Sequence, residues 1–62
     1  MKNRTFEYWI NAKFYFDKIS TSHTAYCIYN NESEIYEVID QNTYEAYECI
    51  DLDMWIVRSI QK

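Results

Sequence analysis

Phe6-Glu7-Tyr8-Trp9-Ile10-Asn11-Ala12-Lys13-Phe14-Tyr15-Phe16 carries an apolar side chain at every even position, while Glu7, Asn11 and Lys13 fall among the odd ones. Alternation with a period of two is the pattern of a half-buried strand, and the aromatic content of the stretch favours that conformation. The same residues hold a second pattern: Trp9, Ala12, Phe16 and Ile19 recur at three- and four-residue intervals, the spacing of one helix face. The first pattern predicts a strand over residues 6–16, and the second keeps a helix open for residues 5–19.

Downstream, Asp17 to Ser22 is polar enough for a turn, and residues 24–29 read as a second strand. Asn30-Asn31 is where a chain without glycine is expected to place a hairpin turn, because Asn tolerates positive φ best among the other residues. Residues 35–39 continue as a third strand. Asn42 can cap a helix over residues 43–51, with Glu45 completing a capping box. Thr43, Ala46, Tyr47 and Ile50 would form its inner side and Glu45 and Glu48 its outer side. Residues 54–60, rich in β-branched and aromatic side chains, close the chain as a last strand.

The order β-β-β-α-β predicts an α+β domain: a four-stranded, mostly antiparallel sheet with one short helix, entered by a right-handed crossover from the third strand to the fourth. Ala46, Tyr47 and Ile50 are then expected against Phe6, Tyr8, Ile10 and Phe14. The third and fourth strands, however, are apolar on both faces: Ile35 and Ile39 oppose Tyr36 and Val38, and Trp55 and Val57 oppose Met54 and Ile56. One nine-residue helix covers one face. The other is expected to be an aromatic-rich surface that seeks a partner, with Trp55 and Val57 the candidates for self-association, unless loops and the N-terminal residues fold over it.

A chain of 62 residues supports a single domain, residues 1–62, around one core. With 48% apolar and 19% aromatic residues, it is too rich in bulky side chains for disorder. Gly and Pro are both absent, which excludes glycine-dependent phosphate-binding loops and with them nucleotide-hydrolysing and dinucleotide-binding motifs. The longest apolar run, Ala25-Tyr26-Cys27-Ile28-Tyr29, is too short for a transmembrane helix or a secretory signal core, so a cytoplasmic location is expected. Cys27 and Cys49 are isolated thiols that suit a reducing compartment, and a single bridge between them stays open.

Candidates for chemistry are few. His23, the sole histidine, sits in a polar turn, and the two cysteines add only distant single ligands, so no metal site, cofactor or catalytic residue is expected and an enzyme is disfavoured. Tyrosines in strands can stack nucleobases, but only within a positive field that this chain lacks. Charge is the informative feature. Glu32, Glu34, Glu37, Asp40, Glu45, Glu48, Asp51 and Asp53 follow one another with no Lys or Arg between them, and the chain carries −4 overall. Such a field repels nucleic acid and anionic membrane and attracts basic protein grooves. These eight residues are therefore the candidate partner-binding set, against the alternative that they only keep the domain dissolved.

Small size, acidity, the lack of Gly and Pro, and the abundance of Ile, Tyr, Asn, Lys and Glu expected of an A/T-rich gene together resemble the small host-takeover proteins of bacteriophages, among them anti-CRISPR inhibitors and DNA mimics. The resemblance is one of composition over the whole chain and assigns no residue. It implies a non-enzymatic inhibitor or modulator in the host cytoplasm, docked on a basic, nucleic-acid-handling host protein. The second reading, from the residues, is a small self-associating structural or accessory domain that uses its aromatic-rich sheet face as a dimer interface.

Overall fold

Both patterns between Phe6 and Phe16 are used, one after the other. The computed structural model describes residues 1–61, and in it the elements run β1 (Arg4–Phe6), α1 (Trp9–Ile19), β2 (Ala25–Asn30), β3 (Ile35–Ile39), α2 (Gln41–Cys49) and β4 (Met54–Ile60). The strand expected to reach Phe16 stops at Phe6, and the helical spacing takes over. Ala12 and Phe16 are buried and Trp9, Tyr15 and Ile19 pack beside them, while Tyr8, Ile10 and Phe14 face outward. A helix wins here because the sheet has two apolar faces, and only a second helix covers the second one. Ala12, with no bulk beyond Cβ, sits at the contact itself.

α1 has no side-chain cap at its start, but its end is well tied. Ser20 Oγ donates to the Asp17 carbonyl (3.3 Å) and Thr21 Oγ1 to that of Lys18 (3.1 Å), satisfying carbonyls that the helix leaves unpaired. Lys18 also stands in the last turn, where the helix dipole favours a cation.

The four strands form one sheet in the order β1-β3-β2-β4, antiparallel throughout. The expected α+β class and antiparallel sheet are therefore present, with two helices in place of one. Each helix bridges two strands that flank a third: α1 carries the chain from β1 past β3 to β2, and α2 from β3 past β2 to β4. β1 and β3 run in opposite directions, so two crossovers of the same hand place their helices on opposite faces. The core divides accordingly. On the α1 face, Ala12, Phe16, Ala25, Cys27 and Val38 cluster, and on the α2 face Tyr26, Ile28 and Ile39 do so with Tyr44, Tyr47 and Met54 packed against them. This explains why β2 reads as apolar at almost every position.

α2 begins earlier than the Asn42 cap implied. Asp40 is the cap, its Oδ1 accepting from the Thr43 N–H at 2.9 Å. Its inner side is correspondingly rotated to Tyr44 and Tyr47, not centred on Thr43, Ala46 and Ile50; Ala46 is exposed and Ile50 is 69% exposed. The Tyr44 ring stacks on Tyr26 at 4.0 Å, and the Tyr26 hydroxyl donates to Gln41 Oε1 at 2.6 Å. Large rings, which bury more area than Ala or Thr, set the rotation of this short helix. None of its side chains meets Phe6, which lies on the other face.

Absence of glycine shows at two positions. The β2–β3 turn is built by Asn30, whose Oδ1 accepts from the N–H groups of Glu32 (2.9 Å) and Ser33 (3.2 Å), but the left-handed residue is Glu34 (φ 58°) and neither Asn. After α2, Asp51 is left-handed (φ 55°), with its N–H on the Glu48 carbonyl and that of Leu52 on the Tyr47 carbonyl, the paired bonds of a Schellman ending.

Within the sheet, apolar surface is left not on a whole face but along one edge. Trp55, Ile56 and Val57 of β4 are 68%, 52% and 40% exposed. The other edge, β1, is only three residues long.

Candidate functional site

Strand direction sorts the charges. β2 ends, and β3 and β4 begin, at one end of the sheet, since Asn30 pairs with both Ile35 and Met54. β1 ends there too, with Phe6 beside Tyr36, and α2 finishes there. Glu7, Glu32, Glu34, Glu48, Asp51 and Asp53 therefore gather at this end, all exposed, with no Lys or Arg among the segments that form it. The opposite end receives the start of β1 and the ends of α1 and β4, and with them Lys2, Arg4, Lys18 and Arg58.

The loops of the acidic end are tied together. Asn31 N–H donates to the Asp53 carbonyl (3.0 Å), Asn31 Nδ2 to Asp53 Oδ1 (3.1 Å), and Asp53 N–H to Glu32 Oε2 (3.3 Å). One backbone and one side-chain donor thus hold the Glu32 and Asp53 carboxylates in place. Ile50 and Trp55, both largely exposed, lie beside Asp51 and Asp53, so apolar surface stands among the acids.

Of the eight acids singled out in the sequence, Glu32, Glu34, Glu48, Asp51 and Asp53 share this end and Glu45 is exposed along α2. Two stand apart from it. Asp40 lies at the other end as the α2 cap, its carboxyl held below the usual range first by the bonds from Thr43, then by the N-terminal ammonium and Asn3. Glu37 is 7% exposed on the α2 face of β3, where its Oε2 accepts from Asn30 Nδ2 (2.9 Å) and its Oε1 from the Tyr47 hydroxyl (2.7 Å). Glu37 is thus an internal group, removed from any docking surface. Glu7 joins the acidic end unforeseen, because only the antiparallel pairing of β1 with β3 brings it there.

Glu37 and Tyr47 line a cavity of about 400 Å³ beside β1, together with Ile39, Thr5 and the chain from Lys2 to Arg4. Burial, then the bond to Glu37 and its charge, push the Tyr47 hydroxyl up to about 12. Burial and the neighbouring Glu48 likewise raise Tyr44.

On the α1 face, Asp17 accepts from Arg58 at 3.2 Å and pairs with Lys13 at 3.7 Å, while Arg58 also lies over the Trp9 ring. The two cysteines are free: Cys27 is buried under α1 and Cys49 is exposed on α2, so the sheet separates them. Burial raises the Cys27 thiol to about 11, with Arg58 opposing. His23 is exposed in the turn after α1, and no group of three metal-ligating side chains occurs among the described residues. No helix among them is long and apolar enough to cross a membrane. No protein-family model matches the chain, and neither curated protein sequences nor solved structures yield a match.

Proposed function

We propose that this chain is a non-catalytic binding protein that docks its acidic end on the basic groove of a nucleic-acid-handling protein, in the manner of an inhibitor. The observation that supports it is the sorting of charge along the strands: six exposed carboxylates at one end, with no Lys or Arg beside them among the described residues and with Ile50 and Trp55 among them. Carboxylates around apolar side chains match the polar rim and apolar centre of protein interfaces, and their field steers a basic partner toward them.

The test is affinity capture from a nuclease-treated cell lysate, with wild type compared with the variant Glu34→Lys, Glu45→Lys, Glu48→Lys. These side chains are exposed, so the variant is expected to keep its circular dichroism spectrum. Wild type should retain a nucleic-acid-binding protein that added duplex DNA displaces, and the variant should not. Equal capture by both, or capture indifferent to DNA, contradicts the proposal.

A further inference from the structure

β4 is a seven-residue edge strand whose inner side pairs with β2 and whose outer backbone groups face no strand among the described residues. Proteins guard such edges with charge, brevity or bulges. The opposite edge, β1, is guarded by its brevity. On β4 the guards occupy only the second half. Arg58 is its sole charged residue, and a bulge leaves Val57 unpaired between Ile56, opposite Ile28, and Arg58, opposite Cys27. The first half, Met54 to Val57, has neither charge nor proline, and Trp55, Ile56 and Val57 are exposed in succession.

We propose that this edge pairs with the same edge of a second copy, antiparallel about a two-fold axis at Ile56, joining two four-stranded sheets into one. Trp55, opposite Tyr29, and Ile56, opposite Ile28, lie on opposite faces of the sheet, and Val57 is the bulged residue that follows them. An axis at Ile56 sets Ile56 opposite its own copy and brings Trp55 of each copy beside Val57 of the other. The exposed apolar trio is therefore complementary to itself, as an isologous contact requires. An axis at Val57 would set Ile56 against Arg58, which the bulge has placed on opposite faces.

Charge selects the same arrangement. Asp53 immediately precedes β4 at the acidic end, and Arg58 lies toward the basic end. On this register each Asp53 falls opposite Ser59 of the other copy, next to Arg58, whose guanidinium also holds Asp17 of its own chain, and the two acidic ends point away from each other. Parallel pairing would set them side by side. The contact takes up Trp55 and Asp53 at the margin of the acidic end and leaves Glu7, Glu34, Glu48 and Ile50 free for the proposed docking.

Disulfide trapping tests it. In a Cys49→Ser background, which removes the exposed thiol, Ile56→Cys should oxidise to a covalent dimer. Residues directly opposed in antiparallel strands have Cα atoms about 4.5–5.5 Å apart, within disulfide reach. Ser59→Cys in the same background should stay monomeric, because its two copies would lie roughly 20 Å apart. Sedimentation equilibrium should find a wild-type dimer, lost in Ile56→Lys with the circular dichroism spectrum intact. A monomeric wild type at millimolar concentration, or Ser59→Cys crosslinking as readily as Ile56→Cys, overturns the proposal.

Discussion

A carboxylate on central strand β3 would be costly to bury without donors, and Glu37 has two: Asn30 Nδ2 and the Tyr47 hydroxyl. Tyr47→Phe removes one and leaves the ring packing in place. We expect a loss of about 1–3 kcal/mol in urea unfolding, the range for a hydrogen bond to a charged group and the desolvation it leaves behind. Tyr47 and Cys27 also define an alkaline limit. Their folded-state pKa values stand above the ordinary ones, from 10.0 to about 12 and from 9.0 to about 11. The unfolded chain therefore releases these protons first, so their contribution is complete below pH 9 and is lost as pH rises toward 12. Tyr47→Phe should flatten the upper part of that decline. The thiols divide likewise: a thiol reagent at pH 8 should label Cys49 in the native protein and reach Cys27 only on unfolding. Glu37's internal role was illegible in the sequence, where it is one acid in a run, because only the antiparallel pairing of β2 with β3 and the rotation of α2 bring Asn30 and Tyr47 to it.

Among the elements, β3 and β4 occupy the residues that their β-branched and aromatic runs predict, and β2 is displaced by one residue. In α1, Ala12 and Phe16 satisfy both periods. Phe14 and Phe16 separate them. A strand would place both on one face, whereas α1 leaves Phe14 64% exposed and buries Phe16. Phe16→Ala should cost about 3–5 kcal/mol and Phe14→Ala a small fraction of that, measured by urea unfolding. Comparable losses would favour the strand. Local alternation could not decide between them, since the deciding pressure is the two-sided apolar sheet, which needs a helix on each face. The α2 ending makes a separate prediction. Asp51 holds a left-handed conformation that glycine adopts without steric cost, so Asp51→Gly should stabilise the domain by about 0.5–1 kcal/mol. A lower melting temperature for this variant would contradict the Schellman account.

At the scale of the whole molecule, topology converts an acidic sequence run into an acidic end. The run from Glu32 to Asp53 was plain in the sequence, but its division was not: Glu37 goes inside, Asp40 caps α2 at the far end, and Glu7 arrives from a different segment. Lys2, Arg4, Lys18 and Arg58 sort to the other end by the same chain directions, giving the domain a charge axis along its sheet. Charge sorted in this way should bind a cationic probe locally, and weaken as added salt shortens the Debye length from about 10 Å at 0.1 M toward 3 Å at 1 M. The most direct measurement is an NMR titration of the isotopically labelled protein with an arginine-rich peptide at two salt concentrations. Amide shifts should concentrate at Glu7 and Tyr8, Asn31 to Glu34, and Ile50 to Trp55, and fade at high salt. Shifts spread evenly over Asp17, Asp40 and the basic end, or unchanged by salt, would contradict the claim that the acidic end is the binding surface.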